Sequence, residues 1–370
     1  MTATVLEIVE KIKTHPFGTA LPENFVVRRA ETLDAQIVLD HPNISLYCLD
    51  DLKREAWFVE TPPDADLINA PFYYAAQYEH ALRIYAVPYA EFHALAASLP
   101  APKVIFVHST GRCGSTLISK TFNTVPGVRS LSEPDIYLQI YFMRMLDPAR
   151  DDEYRRLLKS ATLFYGSAAK TVVLKFRAMV IQVGDLLCEA FPNATNLFLY
   201  RNQESWSRSM GIEATPVATR RDPVQEFPVY RRGMAPLSLP FAAEHGREAT
   251  PVELTTLSWL SLMERYVALC EIGIPFLALR YEDILAHPKQ VLKAAFDYCG
   301  LNGDVDSAYA LFATDSQEGT LWSRASRQDW LTEPLEADEV ARMRELLAGR
   351  AVVRTADFIA PHTILFADQI

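Results

Sequence analysis

Long hydrophobic runs are missing from this chain. No stretch of about eighteen apolar residues occurs anywhere in its 370 positions, so nothing in it reads as a membrane-spanning helix. The opening residues, MTATVLEIVEKIKTHPFGT, interrupt their short apolar stretch with acidic side chains, unlike a signal peptide. Together these features predict an intracellular, cytoplasmic protein without a membrane span. Cysteine is scarce: Cys48, Cys113, Cys188, Cys270 and Cys299 are odd in number and irregularly spaced. That argues against a disulfide framework and predicts reduced, mostly buried thiols. No HxxxH or CxxC grouping occurs, so no metal site is expected. Positive charge is also in deficit. A formal net charge of -10 would repel a polyanion from most of the surface, which argues against general nucleic-acid binding. An anionic ligand must then be held locally, by a few arginines and backbone N–H groups.

What the chain does contain is enough apolar residue, 49% against 22% charged, for one large core and a smaller appended unit. From about Pro102 onward the pattern repeats strand, glycine-containing turn and helix, as in a parallel sheet covered by helices. The runs 103–108 (KVIFVH), 170–176 (KTVVLKF), 196–201 (NLFLYR) and 275–281 (PFLALRY) read as strands buried on both faces. The clearest helix start is Thr250-Pro251-Val252-Glu253, a capping box with a first-turn proline. Leu254, Leu257, Leu260 and Met263 follow at helical spacing, and Gly273 ends the pattern. Residues 1–101 mix alternating runs such as NISLYCL and REAWFVE with an aromatic-rich stretch, and read as a separate, partly β unit, with 102–370 as the main domain. Residues 213–250 carry five prolines, including Pro228, and five arginines without sustained periodicity. They read as a functional loop or lid, or as a solvated insertion.

The first strand of the main domain runs into Ser109-Thr110-Gly111-Arg112-Cys113-Gly114-Ser115-Thr116 and then an apolar helix. A strand, a tight turn and a helix N-terminus align successive backbone N–H groups into an anion cradle, to which the hydroxyls of Ser115 and Thr116 add donors. The same residues also suit a plain glycine-assisted turn. A Walker A loop needs Gly-Lys-Ser/Thr, whereas this loop has Gly114-Ser115-Thr116 with the basic residue two positions before the glycine, at Arg112.

That displaced base resembles the 5′-phosphosulfate loop of the sulfotransferases, which use 3′-phosphoadenosine 5′-phosphosulfate (PAPS) and release PAP. The arginine form is similar to the tyrosylprotein and bacterial glycolipid branches. Three later segments, in the family's order, extend the resemblance over roughly 102–330. FPNATNLFLYRNQESWSRSM resembles the 3′-phosphate segment, with Ser209 eight residues after Arg201. The usual Arg-Asp-Pro has become Arg201-Asn202-Gln203. Arg280-Tyr281-Glu282-Asp283-Ile284 resembles the segment whose tyrosine lies near the adenine, which implies that role for Tyr281. Thr314-Asp315-Ser316-Gln317 and Ser323-Arg324 resemble a late cofactor loop, implying contacts from Ser316 and Arg324. The family implies a P-loop three-layer α/β/α fold with a mostly parallel sheet. It also implies cofactor contacts from Gly111, Arg112, Cys113, Gly114, Ser115 and Thr116, and no metal.

Sulfuryl transfer, like phosphoryl transfer, is governed by positioning and charge stabilisation, with one group to receive the acceptor's proton. Arg112 suits the developing charge near the sulfonate. Lys175 closes a buried parallel strand, at the end where ligands of this fold class bind, and relatives of the tyrosylprotein branch have a phosphosulfate-contacting lysine there. Glu133, twenty-one residues after Arg112, stands where the arginine branch places its catalytic glutamate. It also suits a helix start before Pro134. His108 is a second base candidate. The expected acceptor is a small-molecule, carbohydrate or lipid-linked hydroxyl or amine. The alternatives are a P-loop kinase or phosphotransferase, and a non-catalytic nucleotide- or partner-binding relative.

Overall fold

The computed structural model describes residues 1–13, 18–224 and 229–366. Pro228, in the segment expected as a lid, lies outside the described residues. The chain groups into two compact units, Met1–Phe106 with Ser119–Ala194, and Val107–Ile118 with Thr195–Ile370.

Among the described residues ten strands form two sheets. In the first, β1 (Thr2–Lys11), β2 (Phe25–Asp34), β3 (Ile44–Asp50), β4 (Glu55–Glu60) and β5 (Arg83–Pro88) pair antiparallel in the order β2-β1-β5-β4-β3. The second contains β6 (Lys103–Ser109), β7 (Val128–Ser132), β8 (Thr171–Lys175), β9 (Thr195–Tyr200) and β10 (Leu277–Arg280), in the order β10-β9-β6-β8-β7. The pairs β7–β8 and β9–β10 are parallel, and helices separate the strands in sequence. The fold is α/β with an antiparallel N-terminal sheet added, as the strand–turn–helix alternation predicts. The four short apolar runs are strands within a residue or two of their expected limits.

In the first unit, β4 buries both faces. Trp57 and Val59 join Tyr47, Tyr74 and Ile84, while Phe58 on the opposite face meets Phe92 at 6.1 Å and Phe164 at 5.0 Å between ring centroids. Phe164 belongs to the helix Asp151–Gly166, so the N-terminal sheet shares its core with residues far along the chain. The edge strand β3 is closed by side chains instead of another strand. Gln139 bonds both the N–H and the C=O of Leu49, at 2.8 and 2.5 Å, and Gln77 and the Tyr165 hydroxyl donate to the Leu46 carbonyl at 2.9 and 3.1 Å. An edge covered in this way offers no template for a foreign strand.

In the second unit the helix Pro251–Glu271 starts on the expected capping box: the Thr250 hydroxyl accepts from the Glu253 N–H at 3.3 Å, and the Glu253 carboxylate accepts from the Thr250 N–H at 2.9 Å. The 213–250 segment is more ordered than its composition suggests. Val217–Arg221 and Ser238–His245 are short helices, and prolines at 216, 223 and 236 break any longer period. Fully buried Arg220 anchors the segment. It grips both carboxylate oxygens of Glu339 at 3.0 and 3.1 Å and donates to the carbonyls of Thr215, Glu333 and Pro334. All five cysteines are free thiols; Cys48, Cys113 and Cys299 are buried. Among the described residues no helix is long and apolar enough to cross a membrane.

Candidate functional site

The loop after β6 has a left-handed backbone at Gly111 (φ 74°), Arg112 (φ 53°) and Gly114 (φ 79°). This conformation costs a non-glycine residue about 1–2 kcal/mol, so Arg112 is held there by its surroundings. The neighbours that hold it are plain. The Thr110 N–H and the Cys113 thiol both donate to the Leu199 carbonyl of β9, at 2.9 and 3.3 Å. The Trp206 indole N–H donates to the carbonyls of Thr110 and Gly111 at 2.9 and 3.0 Å. The Thr110 and Gly111 carbonyls are thus turned toward Trp206, the Gly111 N–H donates to the Ser109 hydroxyl at 3.3 Å, and the loop leads into the N-terminus of the helix Ser115–Phe122, where N–H groups favour an anion. Gly114 lies against the Tyr281 ring, and its positive φ excludes a side chain there without strain.

Arginines gather around this loop. Arg201, just past the end of β9, donates to the Arg112 carbonyl at 3.2 Å and to the Ser205 hydroxyl at 2.8 Å, and its guanidinium lies 4.3 Å over the Tyr281 ring. Ser209 ends the helix Gln203–Ser209, and both its hydroxyl and its carbonyl accept from the Arg112 Nε at 3.3 Å. Arg112 also lies 4.4 Å over the Trp322 ring. Burial pushes the Arg112 guanidinium down to about 10, and the charges of Arg327 and Arg201 press in the same direction. Arg201 is lowered too, by burial first and also by Arg327, with Tyr281 and Glu282 opposing. Among the described residues none of these three arginines forms an ion pair. Cations brought together with no carboxylate in ion-pair contact make a site that an anion relieves.

The Asn202 side chain caps the helix Gln203–Ser209, accepting from the N–H groups of Glu204 and Ser205 at 3.0 and 3.2 Å, which fixes the start of the helix that Ser209 ends. In the late segment, Gln317 donates to the Thr116 hydroxyl at 2.9 Å. Ser316 is half-buried. Arg324 is exposed, with its N–H on the Asp315 carboxylate at 2.7 Å.

Glu133 and Lys175 belong to the other unit. Glu133 follows β7 with φ 62°, and its N–H donates to the Lys175 carbonyl at 2.7 Å, which fixes a non-glycine residue in a left-handed turn. Its carboxylate forms an ion pair with the Lys175 ammonium. The lysine side chain is 4% exposed and the glutamate 13%, so the pair is nearly dry yet open at the carboxylate. Asp135, two residues on, is fully buried against Arg177 at 3.1 Å and does not share the pair. His108 is buried within β6, its ring 5.8 Å from Phe276, and burial holds it at about 3. Among the described residues no three His, Cys, Asp or Glu side chains are grouped to hold a metal.

No protein-family model matches the chain, and no curated protein sequence does. Similar solved structures do exist, and several of them are sulfotransferases. A sulfotransferase from Alicyclobacillus acidocaldarius is 14% identical, covering 68% of this chain and 92% of its own, at a TM-score of 0.37. The sulfotransferase domain of the curacin biosynthetic pathway is 17% identical, covering 67% and 98%, at 0.37. Mouse sulfotransferase SULT7A1, solved with PAP, is 13% identical over 70% and 88%, at 0.35.

Sequence reasoning missed Arg327 and Trp322, and it read Gln317 only as part of the 314–317 segment without giving it a contact. Arg327 lies three residues beyond Arg324 in the helix Arg324–Gln328, and the Arg-Ala-Ser-Arg spacing was the one available signal. The place of Trp322 over Arg112 left no mark in the sequence.

Proposed function

We propose that this chain is a sulfotransferase that moves a sulfuryl group from PAPS to a hydroxyl or amine. The observation that carries the reading is the gathering of Arg112, Arg201 and Arg327, none of them ion-paired among the described residues, around a left-handed loop that leads into a helix N-terminus. A ligand with phosphates at both ends of a ribose and a sulfonate beyond suits three such cations. The missing Walker lysine sets the chain apart from the P-loop kinases.

The roles then divide as follows. The N–H groups of residues 111–116 and the hydroxyls of Ser115 and Thr116 hold the 5′-phosphate. Arg201 and Ser209 take the 3′-phosphate, and Tyr281 lies along the adenine. Gln317 and Arg327 add contacts from the late segment, alongside Ser316 and Arg324. PAPS supplies the sulfuryl group: its sulfur–oxygen bond to the 5′-phosphate breaks, the electron pair leaves on PAP, and a new sulfur–oxygen or sulfur–nitrogen bond joins the acceptor. Arg112 stabilises charge on the departing oxygen. Glu133 accepts the acceptor's proton, and Lys175 keeps that carboxylate in place and contributes positive charge to the phosphosulfate.

The test is Glu133→Gln, which keeps shape and removes basicity. Transfer in a single turnover is expected to fall roughly 100- to 10,000-fold while PAP affinity stays unchanged. Near-normal transfer would remove Glu133 as the base.

A further inference from the structure

We propose that the acceptor is a small apolar molecule with a cationic head, held in the cavity beside Ser209. The term acceptor rests on the transfer reading above; the chemistry of the occupant rests on the cavity alone. The cavity measures about 520 Å³, within the range of sites that enclose small molecules. Met210, Ile212, Val224 and Leu254 make much of its wall. Met210 directly follows Ser209, whose hydroxyl receives Arg112, so the cavity and the arginine cluster share a stretch of backbone.

Gly211 keeps that shared wall thin. Its φ is +84°, and a Cβ there would come within 2.9 Å of the Trp330 ring. Any other residue at 211 forces Trp330 away from this wall.

Charge selects the occupant. Among the described residues the lining includes no lysine, arginine or histidine, and its one ionisable side chain is Asp222. Asp222 is exposed, and among the described residues it has no hydrogen bond or ion pair. Three arginines of the surrounding segment are engaged elsewhere. Arg220 is engaged by Glu339, Arg221 by Glu336 and Asp338, and Arg247 by Glu253. An apolar cavity with one open carboxylate favours a cation and rejects an anion. The arginine-rich composition of 213–250 would suit an acidic acceptor, but these three arginines are engaged within the protein.

Three ligands of one shape and different charge test this: 2-phenylethylamine, 2-phenylethanol and phenylacetate, titrated calorimetrically into the full chain with and without PAP. The amine is expected to bind tightest and phenylacetate at least about tenfold weaker, a difference of about 1.4 kcal/mol. Asp222→Asn should bring the amine to the level of the alcohol. Leu254→Trp, which fills the cavity, should weaken all three. Both variants should bind PAP like the parent chain. Phenylacetate binding as tightly as the amine, or an amine preference that survives Asp222→Asn, overturns the proposal. If the ligands bind in the expected order but PAP does not bind at all, the transfer reading falls and the occupant's chemistry stands.

Discussion

Arg327→Ala separates a binding role from a structural one. Arg327 contributes positive potential that lowers both Arg112 and Arg201, and it forms no ion pair among the described residues. Its one described ring contact is with Trp330, 5.6 Å from guanidinium to centroid. A charge-assisted hydrogen bond to phosphate contributes roughly 1.5–3 kcal/mol, a factor of about 10 to 150 in affinity. Arg327 is half-buried, so solvent places it near the lower end. PAP affinity by titration calorimetry should therefore fall about tenfold, more steeply at low salt than at high salt. The ligand-free protein should respond in the opposite sense. Removing one of three mutually repelling cations relieves strain, so the melting temperature without ligand should hold or rise. Both effects must appear together. An Arg327→Ala protein that melts lower and binds PAP normally would refute the claim that these arginines are assembled for an anion.

Two further outcomes follow. Arg201→Ala should weaken PAP at least about tenfold while hardly changing adenosine 5′-phosphosulfate, which lacks the 3′-phosphate; calorimetry with both ligands checks this, and equal losses remove the assignment. Glu253 is buried, which alone would raise its pKa, but Arg247, the Thr250 N–H and Arg342 outweigh burial and hold it at about 2 against 4.5. A depressed carboxyl contributes stability that is fully present above about pH 4.5 and is lost as pH falls toward 2, here on the order of 3 kcal/mol. Urea midpoints measured across that window should fall more steeply for the parent chain than for Glu253→Gln, and parallel curves would contradict it.

Local features were the legible ones. The strand–turn–helix at Ser109–Thr116 and the Thr250–Glu253 capping box are each written within about ten residues, so their geometry follows from periodicity and turn chemistry. Contacts that bring distant segments together were not. Trp322 over Arg112 joins residues more than two hundred positions apart, and Phe58 on Phe164 more than one hundred. No short window contains either. The 213–250 segment hid its helices because proline interrupts the periods by which helices are read. Its arginines looked free because Glu339, the partner of Arg220, lies 119 residues away.

The central claim is recognition of a 3′,5′-bisphosphorylated adenosine, and a thermal-shift series with PAP, AMP and ATP·Mg²⁺ on the full chain tests it most directly. A ligand that binds only the folded state adds about 2.7 kcal/mol of stability at one hundred times its Kd. PAP should raise the melting temperature well beyond the other two, and Arg201→Ala should reduce that advantage. Stabilisation by ATP·Mg²⁺ equal to or greater than that by PAP would contradict the sulfotransferase reading and favour a P-loop phosphotransferase.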